Sequence, residues 1–173
     1  MNLWLWHPRN WETCPNVGRG FPVPKTTVLF VCPDNSLLGP MAEACLNARG
    51  GGLMRAFSAG LQPAAQISKN VSRLLSAHGV SAQGLSPKSI DVFLMPYAIV
   101  PDRIIYLSDV KAILQPSSWK GTTSSHWWSV TDGGALSDDF AACSAYLKRI
   151  WQAIDGLIDP SVPSELSTSN KVA

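Results

Sequence analysis

The first apolar run with strand character is TTVLFVC, Thr26 to Cys32, dominated by β-branched and aromatic side chains. An unbroken run of this kind fits a strand buried on both faces of a parallel sheet. The pattern then changes period. From Pro40, PMAEACLNAR opens with a proline suited to a first helical turn, carries Glu43 early and stops at Gly50, Gly51 and Gly52. That predicts a helix closed by a glycine cap and a turn. LMRAFSAG predicts a second strand ending in a glycine turn at Gly60. In ISKNVSRLLSAHGV, Ile67, Val71, Leu74 and Leu75 share one helical face and Gly79 follows the last turn. SPKSIDVFLMPYAI predicts a shorter helix broken near Pro96, and DRIIYLSD, Asp102 to Asp109, a third strand. Residues 110–125 are rich in Pro, Gly, Ser and Thr and predict mostly loop, with room for one short edge strand. From Leu136 to Ile158, apolar residues at Phe140, Cys143, Tyr146, Leu147, Ile150, Trp151, Ile154 and Ile158 predict a long amphipathic helix, with Ser137 and two aspartates at its start.

Strands alternating with helices predict an α/β fold: a doubly wound parallel sheet of about four strands with helices on both faces. Ligands of such sheets bind at the carboxyl ends of the strands. The 173 residues fit one domain, residues 26–159, between an N-terminal arm, 1–25, and a polar C-terminal tail, 160–173, expected to be disordered. The arm carries Trp4, Trp6 and Trp11 and an early His-Pro, and it has no apolar core of signal-peptide or membrane-spanning length. It reads as an aromatic anchor for a partner, as a segment packed on the domain's own surface, or as the product of a misassigned start.

Charge and cysteine usage narrow the classes further. Fourteen basic and twelve acidic side chains leave a formal charge of +2, too small a balance to imply nucleic acid or an anionic membrane surface as partner. Cys14, Cys32, Cys45 and Cys143 are widely spaced, with no CxxC or Cys/His pattern. Neither a metal site nor a disulfide scaffold is expected, no cofactor is implied, and a reducing cytoplasm is the simplest location. Cys45 and Cys143 fall on predicted helices and are expected in the core.

The candidate chemistry lies in VCPDNSLLGP, Val31 to Pro40. A cysteine ending a strand, a tight polar loop and a helix start is an arrangement in which a thiolate can meet an anion. Yet from Cys32 to Pro40 there are two leucines and no arginine. On composition alone Cys32 also reads as a small buried hydrophobe. Leu37 and Leu38 read either as an apolar patch for a new ligand or as filler of a closed loop.

VLFVCPDNSLLGPMAEA resembles the phosphate-binding loop and first helix of the low-molecular-weight protein tyrosine phosphatases and the related thioredoxin-coupled arsenate reductases. FSAGLQP, Phe57 to Pro63, is similar to the family's turn after its second strand. HGVSAQGLSPKSI is similar to its next helix end, and HWWSVTDGG, His126 to Gly134, to its late acid-bearing loop. The resemblance covers roughly Thr26 to Asp159. It implies that Cys32 attacks phosphorus and that the loop of Pro33, Asp34, Asn35, Ser36, Leu37, Leu38 and Gly39 cradles the phosphate, with Asn35 shaping it. It also implies that Asp132 protonates the leaving group. The ligand reads as a phosphoprotein or other protein, as a small anion held by the loop's backbone N–H groups, or as nothing at the old site.

The departures fall on the positions that carry charge. The family's loop arginine aligns with Leu38, its next hydroxyl residue with Gly39, its second cysteine with Leu37 and its loop glycine with Asp34. Losing an arginine that stabilises a transferring phosphoryl group costs on the order of 10³ to 10⁵ in rate. The Asp-Pro of the acid loop is Asp132-Gly133 here, and Asp132 in Thr-Asp-Gly-Gly also reads as a turn residue. The resemblance therefore points to a catalytically impaired phosphatase-like protein acting by binding. The rival is an active phosphatase whose loop is completed by Arg49, Arg55 or Arg103, with Arg73 and Arg9 as outsiders. An arsenate reductase needs a downstream cysteine pair, and none lies between Gly60 and Ala142. His126, beside Trp127 and Trp128, reads as lining a pocket mouth or as a loop histidine packed on aromatics.

Overall fold

The computed structural model describes residues 26–131, 133 and 135–159. The tryptophan-rich arm, the C-terminal tail and Asp132 lie outside the described residues. Four strands, β1 (Thr26–Cys32), β2 (Met54–Gly60), β3 (Arg103–Leu107) and β4 (Ser124–Trp128), form one parallel sheet in the order β2-β1-β3-β4. Helices α1 (Leu38–Arg49), α2 (Lys69–Ala77), α3 (Asp91–Leu94) and α4 (Phe140–Ile158) connect or follow them, with a short 3₁₀ turn at Ser117–Trp119. β1 is central, and the chain order reverses between β1 and β3. The loop leaving β1 therefore stands at the switch point, where a parallel sheet opens a crevice.

The sheet buries two faces of unequal thickness. On one face, Val28, Phe30, Ile105, Leu107 and Trp128 pack under α1, α2 and α4, where Met41, Leu46, Leu75, Leu147, Ile150 and Ile154 are inaccessible or nearly so. On the other, Leu29, Val31, Ala59, Ile104 and Tyr106 are covered by α3, the 3₁₀ turn and the loops around them, through Ile90, Phe93, Val110 and Trp119. Cys45 and Cys143 are buried free thiols in the thicker layer, as expected of core positions.

Three local readings change. α1 begins two residues before Pro40, which places Glu43 in the second turn rather than the first. α4 begins at Phe140; Asp139, held by Ser137, is the cap and accepts the Ala142 N–H at 2.9 Å. His126, Trp127 and Trp128 belong to strand β4, not to a loop, because Tyr106 and Trp127 are register partners whose rings stack at 4.8 Å. That cross-strand contact depends on residues far apart in sequence and has no local signature.

Candidate functional site

The loop after β1 is clamped from outside. The carbonyls of Cys32, Pro33, Asp34 and Ser36 accept backbone N–H groups of Leu61, Gln62, Ala64 and Ser68 at 2.8 to 3.2 Å. With its carbonyls drawn outward, the loop turns N–H groups inward, the arrangement of a backbone anion nest. Gly60 permits this closeness: a Cβ there would meet Asn35 N at 2.9 Å and Asp34 C at 2.9 Å. Asn35 sits at φ +52°, a left-handed conformation that asparagine tolerates better than most residues.

Part of the interior of the nest, beside Gly39, is taken by the chain itself. Asn35 is inaccessible, and its side chain reaches across the loop: Cys32 Sγ lies 3.8 Å from Asn35 Oδ1, as donor to it, and 3.9 Å from the Ala59 carbonyl oxygen. A Cβ built at Gly39 would come within 2.2 Å of Asn35 Oδ1, 3.0 Å of Cys32 Sγ and 3.1 Å of Ser58 Cβ. The space that a side chain at position 39 would use is therefore held by the Asn35 amide. Asp34 bends back over the rim, where its carboxylate accepts the Ser36 N–H at 3.0 Å and the Ser36 hydroxyl at 2.8 Å. An internal anion thus holds one of the loop's donors. Asn35 Nδ2 is buried without a partner.

Leu37 and Leu38 are 1% exposed and belong to the core cluster that contains Cys32. They form no surface patch, because the start of α1 turns both under the helix layer. The charge balance at the thiol follows from this packing. Burial pushes Cys32 up to about 12 and the nearby Asp34 charge adds to it, against the opposing effect of the Gly39, Asn35 and Asp34 N–H groups. Among these effects desolvation wins. A thiolate would also face the Asn35 oxygen that the thiol now addresses as donor.

Among the described residues, none of Arg49, Arg55, Arg73 and Arg103 completes the loop. Arg49, at the far end of α1, pairs with Asp155 at 2.5 Å; twelve helical residues put it roughly 18 Å from the loop. Arg55 and Arg103 stand at the amino ends of β2 and β3, the opposite edge of the sheet from Cys32, and Arg55 lies over the Phe57 ring. Arg73 covers the ring of Phe140, and Arg149 Nη1 donates to the Val130 carbonyl at 2.9 Å. Arg9 and the proposed acid Asp132 lie outside the described residues. Thr131 and Gly133 flank the latter, Gly133 at φ +73° with open space around it. His126 is half-buried on β4, with Nε2 3.0 Å from Ser124 Oγ. Burial holds it below the usual histidine range, and the charge of Arg103 adds to the effect.

The sequence did not single out the polar bridge beneath the loop. Ser58, inaccessible in β2, donates to Glu43 Oε2 at 2.5 Å, and Lys88 Nζ lies 3.0 Å from the same oxygen. A serine inside an apolar strand was the available signal; its partners come from a helix and a loop distant in sequence. Glu43→Ala would leave a buried hydroxyl without its acceptor and a partly buried ammonium without its counter-charge, so a loss of about 2 kcal/mol in denaturant unfolding is expected. Glu43→Gln, which keeps an acceptor for Ser58, should lose less.

Among the described residues, no group of three or more His, Cys, Asp or Glu side chains could hold a metal ion, and no helix is long and apolar enough to cross a membrane. A central strand ending in cysteine, an inward-facing amide loop at the sheet's switch point and a helix beginning on that loop define a cysteine-loop α/β scaffold of the phosphatase type. The sequence family described as low molecular weight phosphotyrosine protein phosphatase matches residues 27–150, and the chain belongs to that family.

No curated protein matches the chain in sequence. Solved structures do match in fold. An arsenate reductase in a phosphate-binding state superposes with TM-score 0.60 at 20% identity, covering 80% of this chain and 99% of that one. The arsenate reductase of Archaeoglobus fulgidus gives 0.55 at 25% identity, over 76% and 98% of the two chains. The YwlE arginine phosphatase of Geobacillus stearothermophilus gives 0.56 at 17%, over 79% and 92%.

Proposed function

We propose that this chain is a phosphatase-fold protein that has lost phosphomonoester hydrolysis and acts by binding. One observation carries the reading: the side chain of Asn35 and the thiol of Cys32 occupy the interior of the loop, with the apolar Leu38 where the family places its arginine. Hydrolysis by this scaffold needs a thiolate, a vacant cradle and a cation to meet the charge of the transferring phosphoryl group. Burial holds the thiol far above the usual cysteine range, the Asn35 amide takes part of the loop's interior, and Arg49, Arg55, Arg73 and Arg103 are engaged or stand away from the loop. The arsenate-reducing chemistry of some neighbours is disfavoured by the cysteine inventory, since no cysteine lies between Gly60 and Ala142 to resolve an adduct. The residual role is recognition of a protein partner by the outer surface, from a cytoplasmic location.

The test is hydrolysis of para-nitrophenyl phosphate by the wild type and by Cys32→Ser. Equal background rates are expected. Turnover by the wild type clearly above that of Cys32→Ser would overturn the proposal. It would restore the rival reading, with Cys32 as nucleophile and Asp132 as general acid.

A further inference from the structure

At the edge of the sheet opposite the candidate site, the chain enters β1 between two exposed apolar elements. The Thr26 N–H donates to the carbonyl of Leu53, which is 52% exposed. The Thr27 N–H donates to Asp102 Oδ2 at 2.7 Å, and the Asp102 N–H returns a bond to the Thr27 carbonyl at 2.9 Å. Immediately before Asp102 the connection from α3 to β3 forms a ledge: Met95 is 56% exposed, Ile99 46% and Val100 41%, and Tyr97 is wholly exposed. Tyr97 is also held at φ +69°, a left-handed conformation rare for a bulky side chain. Four exposed large apolar side chains within six consecutive positions, on a rim otherwise tied down by hydrogen bonds, are what a covered site would present.

We propose that the occupant is the chain's own segment 1–25, docked through Trp4, Trp6 and Trp11 on the ledge of Met95, Tyr97, Ile99 and Val100. The segment joins the domain at Thr26, beside the ledge, so it is presented there at high effective concentration. From Trp11 to Thr26 an extended chain reaches roughly 50 Å, against a radius of gyration of roughly 14 Å for a domain of this size. Its tryptophans supply large apolar area at little side-chain entropy cost. The C-terminal segment is the weaker candidate, since it carries no aromatic residue and leaves from α4, on the other face of the sheet.

Met95 provides the readout. In the full-length protein treated with hydrogen peroxide, oxidation of Met95, followed by peptide mass spectrometry, is expected to be slower in the wild type than in Trp4→Ala/Trp6→Ala/Trp11→Ala. The expected ratio is about tenfold, the factor that ~1.4 kcal/mol of docking free energy sets. The difference should persist on dilution. Reciprocally, Tyr97→Asp/Ile99→Asp, at positions exposed enough to leave the fold intact, should speed tryptic cleavage after Arg9 and Arg19. Equal Met95 oxidation in both proteins overturns the proposal. So does protection that fades on dilution together with a dimer seen by sedimentation, which would assign the ledge to a second copy. Cleavage after Arg9 and Arg19 that is indifferent to the ledge variant also overturns it.

Discussion

Iodoacetamide is expected to alkylate Cys32 at least ~10³-fold more slowly in the native protein at neutral pH than in the urea-unfolded chain, because each unit of pKa is a tenfold change in thiolate. Burial raises Cys32 from 9.0 to about 12, so about three decades of reactivity follow from ionisation alone. The thiol is also 1% exposed, and reagent access requires the loop to open. Cys45 and Cys143, each pushed up to about 11 chiefly by burial, serve as internal comparators, with peptide mapping to separate the sites. An active member of the fold would show the reverse order, its loop cysteine reacting first. Cys32 labelled within about tenfold of its unfolded rate would remove the basis for calling the thiol inert. The same displacement sets a direction for alkaline stability. With the folded value above the unfolded one, the contribution is fully present below about 9 and is lost as pH rises towards about 12.

Gly39→Ala is expected to destabilise the protein by roughly 2 kcal/mol, the middle of the range for overpacking a filled interior. Its new methyl would stand 2.2 Å from Asn35 Oδ1 and 3.0 Å from Cys32 Sγ, both on buried residues, so the packing around them has to shift. Asn35→Gly keeps the left-handed backbone and removes the obstacle, together with an amide nitrogen that has no partner. The double variant Asn35→Gly/Gly39→Ala should therefore lose less stability than the two single losses summed, with a coupling of about 1 kcal/mol read from urea unfolding. Additivity would show that Asn35 is not what blocks a side chain at position 39. The clash also bears on attempts to rebuild activity. Leu38→Arg/Gly39→Ser alone is expected to yield no turnover, because a serine at position 39 meets the same oxygen and an arginine at position 38 starts from a buried core site.

Much of the architecture was legible from residue order. β1 runs over the seven residues whose composition marked a doubly buried strand, and α2 and the α1 terminus follow the predicted glycines. The absence of arginine from Cys32 to Pro40 was legible too, with leucine at the position that the resemblance assigns to it. The place of β4 was not: an edge strand was allowed within 110–125, but Ser124 to Trp128 becomes that strand only by pairing with β3, and two adjacent tryptophans hide the alternation. The Ser58, Glu43 and Lys88 bridge was equally hidden, because its members come from a strand, a helix and a loop.

By itself the sequence determined the strand and helix order, the family resemblance and the absence of a loop arginine, because these depend on local periodicity and on residue identity at fixed spacing. Only the tertiary structure decided what became of the loop. Desolvation is a property of everything packed around an atom. Neither the burial of Leu37 and Leu38, nor the Asn35 amide beside Gly39, nor the upward displacement of the Cys32 thiol can be read from ten consecutive residues.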